Sequence, residues 1–285
     1  MTDSIKLRRS FFYVPGSYPQ LLEGAAKVAA DLLCFDLEDS VPGKGKVEAR
    51  QRVAHTIASQ DYAPREVLVR VNGLDTVWGE DDIQAVAGLA IDGILLPKVE
   101  SAATVRKAAD LAQAAGASAR LRLWCQIETP RAVLHAEQIA TSHPLVEGFV
   151  IGGADLVESM RARNTPARLP LLGPLTHTIL VARAYGLAVI DAIHPNFEND
   201  DGFPESCRQA VELGFDGKSV AFARQLAAVD EAFRPSPEAI AQAERVVAAA
   251  TQSDANSGYE NAHLERARRV LAILDMIEAR APAAR

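Results

Sequence analysis

At 285 residues the chain is long for one ordinary domain but of the size of an α/β barrel, and it can bury a substantial core. Its 48% hydrophobic and 24% charged residues are the balance of a soluble globular protein, and a formal charge of −7 with no dense basic run argues against a nucleic-acid binder. Cys34, Cys125 and Cys207 are few and far apart, with no CxxC or Cys/His zinc spacing. Met1–Ser10 is polar, and no apolar run approaches a membrane span, so a reducing, cytoplasmic setting is expected.

Strand-like and helix-like segments alternate from the start. Phe11–Val14, aromatic and β-branched, is stopped by Pro15-Gly16, and Ser17 is expected to cap a helix running to about Ala30. Leu32–Leu37 reads as the second strand, ending in Glu38-Asp39, and Lys44–Ser59 as the second helix. Glu66–Val71 is the third strand, with Arg70 inside it and Asn72-Gly73 as its turn, and Trp78–Leu89 is helical. Gly93–Pro97 is the fourth strand, followed by Lys98 and Glu100, and Ser101 caps a long Ala-rich helix. Leu121–Ile127 and Gly148–Ile151 are the fifth and sixth strands, separated by a helix over Arg131–Thr141. An irregular segment rich in Arg and Pro covers Glu158–Pro174. A helix over Leu175–Tyr185 then leads into the seventh strand, Leu187–Ile193, which is followed by His194-Pro195. A helix over Glu205–Leu213, a strand within Phe215–Phe222 and a helix over Ala223–Ala232 complete the pattern.

Eight β-then-α units with mostly short connections predict a parallel sheet closed into a (β/α)8 TIM barrel over residues 1–235. An open doubly wound sheet is the fallback, but no GxGxxG follows the first strand. Residues 236–285 then form a C-terminal helical extension. Its last helix, Glu260–Ala279, carries Leu264, Ala267, Leu271 and Leu274 on one face, as expected of a lid over the barrel mouth or an oligomer contact.

In a parallel barrel the C-terminal strand ends share one mouth, and enzymes of this fold work there. The fifth strand ends in Glu128 and the sixth in Gly152-Gly153-Ala154-Asp155. Two acids on neighbouring strands are expected to hold one hard divalent cation, since Mg²⁺ typically takes one or two carboxylates beside water and substrate oxygens. The competing reading makes Glu128 a helix cap and Asp155 a turn residue. Arg70 lies in a strand otherwise of Val and Leu and needs an anionic partner, which a substrate carboxylate or Glu38 would supply. Asp36, Glu38 and Asp39 crowd together. By alternation Asp36 and Glu38 point the same way, and one of them is expected to bind Arg70 or a metal-bound water. Trp124 and Phe149 read as core, and His55, His135, His143 and His177 as helix or loop surface, with His194 and His263 left open.

The runs Arg8-Arg9-Ser10, Val14-Pro15-Gly16, Asp36-Leu37-Glu38-Asp39-Ser40-Val41, Arg70-Val71-Asn72, Pro97-Lys98-Val99-Glu100, Ile127-Glu128-Thr129-Pro130 and Gly152-Gly153-Ala154-Asp155-Leu156 occur in this order. Across roughly Arg8–Pro235 the ordered set resembles the citrate lyase beta subunit and malyl-CoA or citramalyl-CoA lyase family, within the HpcH/HpaI aldolase superfamily. The resemblance implies a (β/α)8 barrel, Mg²⁺ and carbon–carbon cleavage of a 3-hydroxyacyl-CoA. It implies that Glu128 and Asp155 are the metal ligands, that Arg70 binds substrate with Glu38 the acid beside it, and that Arg8, Arg9 and Gly16 belong to the CoA side. Asn72 joins Arg70 as a candidate for substrate or CoA. Lys44 and Lys46 are candidates for the CoA phosphates, or ordinary solvated surface. The implied chemistry is a retro-Claisen cleavage. The substrate hydroxyl and carboxylate chelate Mg²⁺, Arg70 neutralises negative charge, a base takes the hydroxyl proton, and an enolate of acetyl-CoA leaves and is protonated.

Two departures bear on the outcome. The family's Gly-Lys-x-x-Ile-His-Pro-x-Gln run reads Gly217-Lys218-Ser219-Val220-Ala221-Phe222-Ala223-Arg224-Gln225 here, without His-Pro, and a His-Pro occurs at His194-Pro195. In lyases of this family a C-terminal lid donates an Asp to the neighbouring subunit from a Gly-x-x-x-Asp-x-Pro run. The corresponding Gly258–His263 lacks that Asp and offers Glu260 as the nearest catalytic acid. The leading expectation is a Mg²⁺-dependent lyase acting on a short 3-hydroxy-dicarboxylic CoA ester, citramalyl-CoA ahead of malyl-CoA and citryl-CoA, as a cytoplasmic homo-oligomer. Hydrolysis of the thioester at the same site, or a citrate lyase beta-type subunit needing an acyl-carrier partner, are the alternatives.

Overall fold

Eight parallel strands follow one another around a closed barrel: β1 Ser10–Pro15, β2 Leu32–Asp36, β3 Glu66–Arg70, β4 Gly93–Leu96, β5 Arg122–Ile127, β6 Val146–Ile151, β7 Ala188–Asp191 and β8 Gly217–Val220. The ring closes where β1 pairs with β8, Ser10 opposite Lys218 and Phe11 opposite Ser219. The computed structural model describes residues 5–196, 198–252 and 258–280, without the side chains of residues 251, 252 and 258–261. Helices follow the strands, so each strand is covered on both faces, and most strands are correspondingly rich in apolar residues on both faces rather than alternating.

The barrel interior is filled by one cluster that includes Phe11, Leu32, Cys34, Leu68, Trp124 and Val150. Trp124 is its largest member, and two glycines make room for it. A Cβ on Gly148 of β6 would lie 2.6 Å from the indole, and one on Gly93 of β4 would lie 3.1 Å from it. Trp124 and Phe149 are therefore core residues, at 1% and 0% exposure. The three cysteines are free and buried.

The strands fall within two residues of their predicted places, and the helices less closely. Ser17 does not cap the first helix, Pro19–Gly24. Tyr18 stands at the N-cap with no side-chain bond, and Ser17 Oγ instead donates to the Ser40 carbonyl at 2.8 Å. Ser101 does cap Ala102–Ala114, accepting from the Thr104 amide. The helix expected over Arg131–Thr141 is two short ones, Pro130–Leu134 and Ala136–Ala140, broken at His135, whose Nδ1 lies 2.8 Å from the Glu100 carbonyl. The segment Glu158–Pro174 is less irregular than expected. The helix Gly153–Ser159 enters it, and a short 3-10 turn, Leu169–Leu171, precedes the helix Leu172–Ala184.

The barrel unit covers Arg9–Ala232, and the segments flanking it form the other. In that second unit the helices Pro237–Gln252 and Gly258–Arg280 pack against each other, with Ala243, Ala267 and Ile277 buried. No helix among the described residues is long and apolar enough to cross a membrane.

Candidate active site at the C-terminal strand ends

The polar residues of the mouth are placed by strand register. Asp36 ends β2 and Arg70 ends β3, and the two are register partners. Their side chains therefore meet inside the barrel as a two-point pair, Nε to Oδ1 and Nη2 to Oδ2, both 2.7 Å. Arg70 Nη1 also reaches Glu38 Oε2 at 3.0 Å and Asp39 Oδ2 at 3.3 Å, and the guanidinium stacks 4.9 Å from the centre of the Tyr13 ring. Burial works to raise the Asp36 carboxyl, but the charge and hydrogen bonds of Arg70 outweigh it and hold the group below its ordinary range. Arg70 is thus paired with Glu38, as its strand position allowed, and with Asp36 as well, where only one of the two acids was expected to bind it.

Glu128 follows β5 directly and is 1% exposed. Its Oε1 accepts the Lys98 amide at 2.6 Å and its Oε2 accepts Gln126 Nε2 at 2.5 Å. It does not cap the next helix; Thr129 does, accepting from the Ala132 amide. The Lys98 backbone is left-handed, with φ of 49°, which is uncommon for a residue with a side chain and aims its amide at Glu128. Lys98 Nζ then turns to Glu38 Oε1 at 3.0 Å and Asp155 Oδ2 at 3.9 Å. Asp155 lies in the first turn of the helix Gly153–Ser159, where the unsatisfied amides favour an acid. Gly152, just before that helix, is the close approach between β5 and β6. A Cβ there would overlap the Glu128 Cβ and Oε2.

These residues suit a cation. Glu128 has no cationic side chain in ion-pairing range among the described residues, and burial, with Glu38 and Asp155 adding to it, pushes its carboxyl up to about 8. The surrounding acids, Asp36, Glu38, Asp39 and Asp155, find their ion pairs with Arg70 and Lys98. A nearly enclosed carboxylate, a second one at the next strand end and a local excess of negative charge form the donor set of a hard divalent ion. No group of three His, Cys, Asp or Glu converges on a metal position among the described residues.

Arg70, Glu128 and Asp155 open onto one cavity of about 680 Å³, whose opposite wall includes His194, Arg168 and Lys218. His194 lies within 3.0 Å of the Asp201 carbonyl through Nε2, so that nitrogen is the donor; the ring meets Phe203 edge-on. Burial lowers its pKa, which keeps the ring neutral.

Other candidates are placed elsewhere. Asn72 is buried and donates its amide to the Leu37 carbonyl at 3.0 Å and to Asp82 Oδ2 at 2.6 Å, so it braces the ends of β2 and β3 rather than meeting substrate. Arg9 sits at the N-terminal end of β1, opposite the mouth, and forks onto Asp31 at 2.9 and 3.1 Å. Arg8 falls in the other unit. Lys46 is buried and donates to the Leu37 and Glu38 carbonyls at 2.9 and 2.7 Å, so it closes the end of β2 and is not free for a phosphate. Lys44 is exposed in the turn Gly43–Gly45. Gly16 is at the mouth, and its amide donates to the Asp36 carbonyl at 2.9 Å so closely that a Cβ would strike that oxygen. The Glu260 side chain lies outside the described residues. Lys98, Gln126 and Arg168 were given no role from sequence, although Lys98 follows β4 as visibly as Glu128 follows β5.

Residues 9–223 match the HpcH/HpaI aldolase/citrate lyase family. The chain is 39% identical over 280 residues to a (3S)-malyl-CoA thioesterase of Cereibacter sphaeroides, covering 95% of this chain and 96% of that one. It is 33% identical to the citrate lyase subunit beta of Haemophilus influenzae, covering 88% of each. Among solved structures, the protein CitE of Mycobacterium tuberculosis in complex with magnesium, acetoacetate and coenzyme A superimposes with a TM-score of 0.73 at 28% identity, over 93% of this chain and 97% of that one. With the barrel, the ordered mouth residues and this extent of similarity in agreement, the chain belongs to the HpcH/HpaI aldolase/citrate lyase family.

Proposed function

We propose that this protein is a Mg²⁺-dependent enzyme that hydrolyses a short hydroxy-dicarboxylic CoA thioester of the malyl-CoA type. The observation that carries this reading is Glu128, a nearly enclosed carboxylate without a cationic partner, beside Asp155 and across from Arg70. The naming of its relatives as malyl-CoA thioesterases, and the magnesium and coenzyme A held by the CitE structure, support the substrate class and the metal.

Glu128 and Asp155 would hold the ion, and when bound it supplies Lewis acidity toward the oxygens of the hydroxy acid. Gln126 and the Lys98 amide fix both oxygens of Glu128, so the ligand is oriented before anything binds. Arg70, itself fixed by Asp36, places positive charge beside the acyl group and orients a carboxylate or a developing oxyanion. Lys98 links Glu38 to Asp155 and offsets part of the negative charge that the two acids bring to the mouth.

Two outcomes share these residues. Carbon–carbon cleavage ends on an enolate that must be protonated at carbon, and the Gly258–His263 run lacks the Asp that the related lyases place there, with Glu260 its nearest acid. Hydrolysis ends on a carboxylate and a thiol and needs no such donor. Cleavage is the second reading, favoured by the citrate lyase beta relatives and by the intact Arg70–Glu38 pair. Release of free thiol from (3S)-malyl-CoA tests the first. It is expected with Mg²⁺ and lost with EDTA or in Glu128→Gln; release that survives both would reject the site.

A further inference from the structure

A second buried cluster lies at the mouth and takes no part in the chemistry above. Asp191 ends β7 and is the register partner of Lys218 in β8. Lys218 Nζ donates to Asp191 Oδ2 at 2.7 Å and to the Ala192 carbonyl at 2.8 Å. Arg168 reaches the same carboxylate from the segment after β6, its Nη1 2.7 and 2.8 Å from the two oxygens and its Nε 2.6 Å from Gln209 Oε1. The three charged side chains are 9%, 0% and 1% exposed for Arg168, Asp191 and Lys218. Two cations share one carboxylate, so the cluster carries a net positive charge out of water. That is costly until an anion joins it.

Two further features mark Arg168. Its Nη2 is buried with no hydrogen-bond partner among the described residues, a costly deficit for such a group. Its backbone is left-handed, with φ of 50°, a conformation that side-chain-bearing residues rarely adopt and that concentrates at functional sites. Arg168 and Lys218 line the same cavity as Arg70 and Glu128. In a ring of eight strands β7 stands opposite β3, so this cluster faces Arg70 across the mouth.

We propose that Arg168, backed by Asp191 and Lys218, is a second anion subsite of the cavity and takes a carboxylate at the end of the ligand remote from the metal. The proposal rests on the hydrolytic reading and deepens it. In hydrolysis the oxygen of water bonds to the acyl carbon as the carbon–sulfur bond breaks. One water proton goes to the departing sulfur and the other to solvent, and a second carboxylate is left where the thioester was. The ligand class is therefore a hydroxy acid with a carboxylate at each end. The two unpaired N–H groups of Arg168 Nη2, on one side chain in an enclosed wall, suit a single carboxylate, whereas a phosphate gathers donors from several groups. Asp191 and Lys218 are positioning residues here. They fix the guanidinium in place.

The test is direct binding in the presence of Mg²⁺, by calorimetry, of malate against lactate, which shares the 2-hydroxy acid end but lacks the second carboxylate. Malate is expected to bind about tenfold tighter or better, as one charge-assisted hydrogen bond supplies. The preference should collapse in Arg168→Gln, with lactate binding unchanged, and be partly kept in Arg168→Lys. Equal affinity for the two acids in the wild-type protein, which needs no variant to fold, would overturn the proposal, as would a preference untouched by Arg168→Gln. Failure of malate to bind would overturn it too. The parent reading is judged separately, by Mg²⁺-dependent thiol release from malyl-CoA.

Discussion

Glu128 is the residue on which the mouth turns, because its surroundings make it a poor carboxylate without a metal and a good one with it. Burial and the neighbouring acids raise its pKa to about 8, so below that pH a proton competes with the ion. Mg²⁺ affinity is therefore expected to fall as pH drops below about 8, approaching tenfold per unit. Calorimetric titrations from pH 6 to pH 9 would show it, and a flat profile would place the ligand elsewhere. Gly152→Ala tests the same atom from the other side. Its Cβ would displace Glu128, so Mg²⁺ affinity should drop by more than about tenfold, the scale of a disturbed ligand environment, while circular dichroism stays native. Glu128 and Asp155, the proposed metal carboxylates, were legible as acids of the mouth because each follows an apolar run, and a strand end needs no long-range information. That Asp36 joins Glu38 at Arg70 depends on the β2/β3 register. The part played by Lys98 depends on a left-handed backbone that no propensity announces at a lysine.

At the scale of elements, most of the strands were readable from their apolar runs because buried parallel strands are largely apolar on both faces, whereas β8, Gly-Lys-Ser-Val, was bracketed only by its place in the alternation. What their sequences do not state is how large side chains share the barrel interior. Gly148 and Gly93 flank Trp124, so Gly148→Val drives a branched side chain into the indole. That change should cost at least about 1–3 kcal/mol in urea denaturation, the usual range for overpacking, and a neutral result would mean that the interior can give way. Helices were harder to bound. A helical pattern over Arg131–Thr141 hides the break at His135, whose ring turns to the Glu100 carbonyl of another loop. Ser17 has the chemistry of a cap but spends its hydroxyl on Ser40, a contact across the β1 and β2 ends that local sequence does not record.

Across the whole molecule, the proposed site at Glu128 and Asp155 would couple the folded state to divalent ions. An ion that binds only the folded protein stabilises it by about 2.7 kcal/mol at a hundred times its dissociation constant. Thermal melts should accordingly shift upward with Mg²⁺, return with EDTA, and not move in Glu128→Gln; a shift in that variant would point to a different site. The net charge read from the sequence excluded one partner class, but composition carries no record of where charge collects. Thus the acidic corner at β5–β6 and the positive cluster at β7–β8 became visible only once the barrel brought distant residues together.

The most direct measurement is the product balance from purified protein given (3S)-malyl-CoA and Mg²⁺, following malate, free CoA, acetyl-CoA and glyoxylate together. Malate and free CoA in equal amounts, without acetyl-CoA and glyoxylate and abolished by EDTA, is the predicted result. Acetyl-CoA and glyoxylate in equal amounts would contradict hydrolysis and make the protein a lyase.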